Sequence, residues 1–355
     1  MSLELQKFLR NGNGVDLLKL KYGINAKKHS VYSNLVLFKY NQIDSPMGER
    51  IVQEARGIIL DSENDWAVVA RGFDKFFNAE EGHAAKIDWS TARVQEKVDG
   101  SLMMLYHYKG EWHVASSGTP DASGPVNNGE RTFRDLFWDT WNKLNYAEAL
   151  KSVTKDTTLI FELTTPLNRV IVPHTDYKLT LIGIRNRESG IESPVSTAIG
   201  FNVVGEYPLK SLADIRLAFE KVDGLRQEGF VVVDGDFNRV KVKHPAYVAM
   251  HHLKDGMSDK RLLDIIRNGE SAEFLAYFPE YAEQYNSLAT KYSSLVKEIS
   301  DIYETVKDIP VQKDFAIQVK DRRANSVYFL LRRGKGSVTS ILKDVALDTL
   351  TDWLG

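Results

Sequence analysis

Cysteine is absent from the 355-residue sequence, which excludes disulfides, thiol catalysis and cysteine-ligated zinc together. No run approaches the ~20 apolar residues of a membrane span, so no membrane partner is expected. The opening residues, MSLELQKFLRNGNG, lack the basic-then-apolar build of a secretory signal, and the expected location is cytoplasmic. A G-x-x-x-x-G-K-[ST] loop is missing, and Gly334-Lys335-Gly336 has the wrong spacing to stand in for it, so a P-loop kinase is excluded. The eight histidines show no H-E-x-x-H spacing, and the adjacent His251 and His252 would not share a helix face. There is no surplus of positive charge either. Lys plus Arg number 46 against 48 Asp plus Glu, a net charge of -2, which argues against general coating of nucleic acid but allows a local basic track. Repeats of the length that builds solenoids are lacking too.

What remains is an ordinary globular composition, 43% hydrophobic and 26% charged, with length for about two domains. From about Leu35 to Tyr247 short β-rich runs dominate: Trp66–Ala70, Leu102–Tyr106, Trp112–Ser116, Thr158–Leu163, Lys178–Ile184, Phe230–Val233 and Arg239–Lys243. Helices are expected at Thr132–Leu144 and Leu209–Lys221. After Pro245 the texture turns helical, with Lys260–Ile266, Val338–Trp353 and one long helix whose apolar stripe is Tyr281, Tyr285, Leu288, Tyr292, Leu295, Ile299, Ile302 and Val306. Pro279 suits the first turn of that helix. The stripe reads as a seam inside a helical domain in preference to a dimerising coiled coil. The expected fold is α+β: an antiparallel-sheet domain over residues 1–250, then an all-α domain over 251–355.

The chemical signals are polar groups set into strand-like runs, where burying a charge is costly unless it is paired or serves a site. Lys97-Val98-Asp99-Gly100 lies between two β-like runs, and alone it reads as a hairpin turned on Asp-Gly. Glu162 sits in Leu159-Ile160-Phe161-Glu162-Leu163, and Glu228 precedes Gly229-Phe230-Val231-Val232-Val233. Lys241 and Lys243 share one face of a strand because side chains alternate. With Lys97 they would make a cationic cluster fit for polyphosphate.

In this order the motifs resemble those of the covalent nucleotidyltransferases, the superfamily of RNA ligases, DNA ligases and capping enzymes. Lys97-Val98-Asp99-Gly100 is similar to the K-x-D-G nucleophile loop, Phe161-Glu162 to the third motif, and Leu181 to Arg185 to the strand after it. Glu228-Gly229-Phe230 is similar to the fourth motif and Lys241-Val242-Lys243 to the fifth. Phe38-Lys39-Tyr40-Asn41, Glu54-Ala55-Arg56-Gly57-Ile58, Lys75-Phe76-Phe77-Asn78 and Pro166-Leu167-Asn168-Arg169-Val170 narrow the resemblance to the T4-type RNA ligase 1 group. One departure is Ser116-Ser117-Gly118, a loop where that group often carries lysine.

The resemblance implies an ATP-grasp-like nucleotidyltransferase domain and an ATP-dependent RNA ligase joining 5′-phosphate and 3′-hydroxyl ends. Lys97 would attack the α-phosphorus of ATP, its pKa depressed by Lys241, Lys243 and a divalent metal. Lys241 and Lys243 would hold the α-phosphate, with Glu228 also catalytic, and Tyr40, Arg56 and Lys75 would contact phosphate or ribose. Glu96 would accept from the adenine amino group, favouring ATP over GTP. Asp99, Glu162 and Glu228 are the expected Mg2+ groups, directly or through water, with Asp99 and Glu162 also counted among the ATP contacts. RNA repair in a bacterial or phage-infected cell is implied, with tRNA as a candidate substrate and a separate end-healing kinase/phosphatase as a candidate partner. Lys313 to Lys343, with eight basic against two acidic residues and with Tyr328 and Phe329 among them, could track an RNA backbone. The alternatives are a nick-sealing ligase or capping-type enzyme, and a silent nucleotide- or RNA-binding module.

Overall fold

The computed structural model describes residues 2–41, 45–127, 129–254, 258–268, 275 and 281–355. Pro279 lies outside them, and the side chains of His251 and His252 are likewise not described. The chain divides into two compact units, Met1–Tyr247 and Val248–Gly355.

Three sheets build the first unit. Strands β1 (Ile24–Lys28), β2 (Leu35–Tyr40), β3 (Arg56–Asp61) and β4 (Ala67–Ala70) pair antiparallel in that order. A second antiparallel sheet holds β7 (Ser101–Tyr108), β8 (Glu111–Ser116), β9 (Thr157–Thr164), β10 (Lys178–Asn186) and β11 (Glu192–Ser193) in the order β11-β10-β9-β7-β8. The third contains β5 (Phe77–Asn78), β6 (Arg93–Lys97), β12 (Glu206–Tyr207), β13 (Gly229–Val233) and β14 (Arg239–Lys243) in the order β12-β6-β13-β14-β5, antiparallel except for β14 with β5.

The period-two alternation decides which face of each sheet is buried. On the second sheet Met103, Leu105, Phe161, Leu163, Leu179 and Leu181 pack on the helix Phe133–Lys143 through Leu136, Phe137 and Trp141. That helix starts where expected because Thr132 and Asp135 form a capping box. Met104 and Tyr106, on the opposite face of β7, pack with Leu35, Leu37 and Ile59 of the first sheet. Under the third sheet Phe230, Val232, Val240 and Val242 cover Ile215 of the helix Leu212–Phe219. On the third sheet the alternate set, Gln95, Lys97, Val231, Lys241 and Lys243, lines a cavity.

Three elements before Leu35 escape the sequence patterns. The helices Glu4–Arg10 and Val15–Tyr22 are short, and β1 buries only Ile24 of its five residues, so neither period has length to show itself. Asp99-Gly100 corrects the hairpin reading: β6 and β7 belong to different sheets and do not pair.

The second unit is helical, with no strand among its described residues. Its long helix, Ala282–Val306, turns Tyr285, Leu288, Tyr292, Leu295 and Ile299 inward against Leu262, Phe315, Val327, Tyr328 and Leu342. The stripe is therefore a seam within its own unit. Val338–Trp353 is two helices, Val338–Asp344 and Leu347–Leu354, because Val345 and Ala346 adopt extended backbone. The basic segment also differs from expectation. Tyr328 is fully buried, Phe329 packs on Phe315 at 5.6 Å, and Arg332 lies over Phe315 while donating to the Ile309 carbonyl at 2.8 Å. Tyr328 is core, and Phe329 and Arg332 are half-buried against their own unit. Among the described residues no helix is long and apolar enough to cross a membrane.

Leu295 is fully buried at the centre of this seam. Leu295→Ala is expected to cost about 2–5 kcal/mol, read as lost hydrogen-exchange protection along Ala282–Val306 while β9 keeps its own.

Candidate active site

Lys97 ends β6, and the next three residues carry the chain from the third sheet to the second. Asp99 pins this crossing. Its Oδ2 accepts from the backbone N–H groups of Ile171 at 2.8 Å and Val172 at 2.6 Å, and its Oδ1 from the Tyr247 hydroxyl at 2.6 Å. Gly100 completes the crossing: a Cβ there would stand 2.5 Å from the Leu163 carbonyl oxygen. Asp99 was expected among the metal and ATP groups. It is 4% exposed and its oxygens accept from three donors, contacts that hold the Lys97 loop in place.

Three strands set the charged row. Gly229 on β13 lies between Lys97 of β6 and Lys243 of β14, and the next inward row is Gln95, Val231 and Lys241. Gly229 leaves a gap between the two lysines, and Glu228 reaches both: its Oε2 is 2.6 Å from Lys97 Nζ and its Oε1 3.4 Å from Lys243 Nζ. Only glycine fits between them, since φ is +147° and a Cβ would fall 2.2 Å from the Val242 carbonyl oxygen. Beside the expected cations, Lys97 thus has the buried carboxylate of Glu228 in direct contact.

Facing this row across the cleft, Glu162 of β9 stands beside Leu102 of β7. Lys97, Glu162, Lys241, Lys243, Glu96 and Arg56 line one cavity of about 170 Å³. Burial pushes the Glu162 carboxyl up to about 8, against the pull of Lys97 and Arg56 and with Glu228 and Asp99 adding to the rise. Burial, then the neighbouring Lys75, Lys243, Lys97 and Arg56, pushes Lys241 down to about 8. A pocket that raises an acid and lowers a base is short of counter-charge and suited to a polyanion with a bound cation.

A second cavity of about 610 Å³ adjoins the first, sharing Phe73, Phe76 and Arg239, and takes in Lys75. Lys75 Nζ lies 5.1 Å from the centre of the Tyr40 ring, and Arg56 lies over Phe76 at 4.6 Å. Tyr40 itself packs against the core of the first sheet and lines neither cavity. The Ser116–Gly118 loop is met by Lys39, whose Nζ is 3.4 Å from Ser117 Oγ. Reading the sequence passed over Tyr247, Lys39 and Arg239. Tyr247 follows Lys241-Val242-Lys243 closely and Lys39 lies inside Phe38-Lys39-Tyr40-Asn41, so proximity to a motif was the available signal. Arg239, held bidentately by Glu192 at 2.9 and 2.6 Å, stands just before Lys241 and offered the same signal.

Because Glu162 holds its proton more tightly when folded than its ordinary 4.5, its contribution to stability is full below 4.5 and is lost as pH rises towards about 8. In metal-free buffer, wild-type melting temperature should therefore fall relative to Glu162→Gln across that window. A constant difference between the two would contradict the raised pKa.

The sequence model of the RNA ligase family, T4 RNA ligase 1 type, matches residues 54–247. An Autographa californica nuclear polyhedrosis virus protein named for a bifunctional polynucleotide kinase/RNA ligase is 30% identical over 78% of this chain and 42% of its own length. The chain thus spans under half of that relative. An RNA ligase of Rhodothermus phage RM378 is 26% identical over 72% of each chain. A solved archaeal ATP-dependent RNA ligase is 12% identical over 94% of this chain and 91% of that one, with a TM-score of 0.48. The match over residues 54–247, more than half of the 355, makes this chain a member of the T4-type RNA ligase family.

Proposed function

We propose that the protein is an ATP-dependent RNA ligase that joins 5′-phosphate and 3′-hydroxyl ends. The observation that carries this reading is the contact of Glu228 with Lys97 and Lys243 across Gly229, beside Lys241. It sets a primary amine against a carboxylate that can take its proton and two cations that can hold phosphate. Lys97 Nζ, freed of its proton, attacks the α-phosphorus of ATP; the P–N bond forms as the bond to the β-phosphate oxygen breaks, and pyrophosphate leaves. Lys241 and Lys243 hold the oxygens on which charge builds. AMP then passes from Lys97 to the RNA 5′-phosphate oxygen, and a 3′-hydroxyl displaces AMP to form the phosphodiester.

The donor set suits a hydrated divalent ion. Glu162 and Glu228 are close enough for each charge to oppose the other, and among the described residues no three acidic or imidazole groups cluster to cage a metal, so two carboxylates and water would hold Mg2+. When bound, the ion neutralises charge on the phosphates. Glu96, in the same cavity, is the candidate acceptor for the adenine amino group. The kinase in the viral relative's name supports a reaction sequence in which a separate kinase/phosphatase activity supplies the ends, and broken tRNA is the proposed natural substrate. Phage and bacterial relatives support a cytoplasmic setting.

Two experiments test this reading. Wild-type protein incubated with labelled ATP and Mg2+ should form a covalent AMP adduct that Lys97→Ala loses entirely; an adduct that persists in the variant removes the proposal. Lys241 should release its proton near pH 8 in the free protein, so kcat/KM for ATP should fall above that pH. Lys241→Arg, which stays charged, should extend the profile upward, and an unmoved alkaline limb would show that another group sets it.

A further inference from the structure

Lys39 and Arg56 are direct cross-strand partners on β2 and β3. Like charges in that relation destabilise a sheet, and a carboxylate between them would be the ordinary remedy. Neither has one within ion-pair distance among the described residues. The partner of Lys39 Nζ is the Ser117 hydroxyl, at 3.4 Å. Arg56 donates to the Asp74 carbonyl at 3.4 Å and lies over the Phe76 ring, contacts that orient the guanidinium without neutralising it.

The backbone builds this juxtaposition. The pairing of β2 with β3 slips between Phe38 and Lys39, so that Lys39 faces Arg56 and Gly57 is the extra residue. Gly57 has φ of +87°, and a Cβ on it would lie 3.6 Å from the Ser117 carbonyl oxygen. The bulge therefore brings the Ser116–Gly118 turn against the two cations, and bulges of this kind re-aim side chains beside functional sites. Arg56 lines the cavity that holds Lys97, and Lys75 sits over Tyr40, the neighbour of Lys39. Burial and Arg56 both lower the Lys39 pKa, as expected of a cation whose counter-charge has yet to arrive.

We propose that Lys39 is a phosphate-binding residue of the ligation site, closing with Arg56 on one phosphate oxyanion, while Ser117 aims its ammonium group. The proposal rests on the ATP-dependent ligase reading above. Two substrates carry the right chemistry: the β- and γ-phosphates of ATP, and the 5′-phosphate of the RNA end.

Lys39→Met keeps the length of the side chain and removes its charge, and Lys39→Arg keeps the charge. Both are compared with wild type, as full chains, in adduct formation from labelled ATP and in ATP-independent sealing of pre-adenylylated RNA. Lys39→Met is expected to slow at least one step by about ten-fold or more, with Lys39→Arg recovering much of it. A loss in adduct formation with a raised KM for ATP assigns the ATP phosphates, and a loss confined to sealing assigns the RNA phosphate. Removing one of two opposed cations should leave the melting temperature of Lys39→Met equal to or above that of wild type, the reverse of a merely structural role. Inorganic pyrophosphate should raise the melting temperature of wild type more than that of the variant. The proposal is overturned if active wild type and Lys39→Met agree within about two-fold in both steps, or if activity falls only together with melting temperature. Failure of wild type itself to form the adduct would instead remove the ligase reading, and this proposal with it.

Discussion

Several cations cannot be gathered in a half-buried cleft without something to offset their repulsion. In this protein Glu228 supplies the direct offset, contacting Lys97 and Lys243 at once because Gly229 between them has no side chain. Burial first, and neighbouring cations second, lower the pKa values of Lys241 and Lys39, so positive charge in the cluster stays costly. A fully neutralised pocket would be more comfortable and would have no use for a polyphosphate. The residual imbalance is what a nucleotide and a divalent ion would relieve.

Holding that imbalance in place falls to buried hydrogen bonds on the far side of the Lys97 loop. The Asp99 carboxylate gathers three donors, from Ile171, Val172 and Tyr247, and so ties the crossing between two sheets to a segment after β9 and to the residue that closes the first unit. The aspartate of the K-x-D-G motif thereby acts on geometry, fixing where the lysine of the motif stands. Gly100 and Gly229 serve the same end, each occupying a place where a Cβ would strike a carbonyl oxygen.

The helical unit follows a different logic. Its positive charges are drawn partly into its own architecture, Arg323 against Glu298 and Arg332 onto Phe315 and the Ile309 carbonyl. Lys313, Lys320, Arg322, Arg333, Lys335 and Lys343 remain exposed, as does Arg323 beside Glu298. Most of the charge counted along the segment thus stays at the surface, while Tyr328 goes to the core.

Alternation along β14 was legible in the amino-acid order, since a period of two needs only local spacing, and it placed Lys241 and Lys243 on one face; Glu162 was legible as a carboxylate inside the apolar run of β9. The long stripe from Tyr285 to Ile299 was legible for the same reason at the helical period. Lys97 and Glu228 were legible as motif residues, but their contact was not: it joins positions 131 apart. The hairpin reading of Asp99-Gly100 was sound local chemistry, overridden when β6 and β7 found partners in separate sheets. Asp99 could be seen as a carboxylate, and only the folded chain decided that its oxygens would be spent on Ile171, Val172 and Tyr247. Lys39 facing Arg56 depends on a one-residue slip between two strands, a decision made by pairing energy across the sheet and invisible in either strand alone.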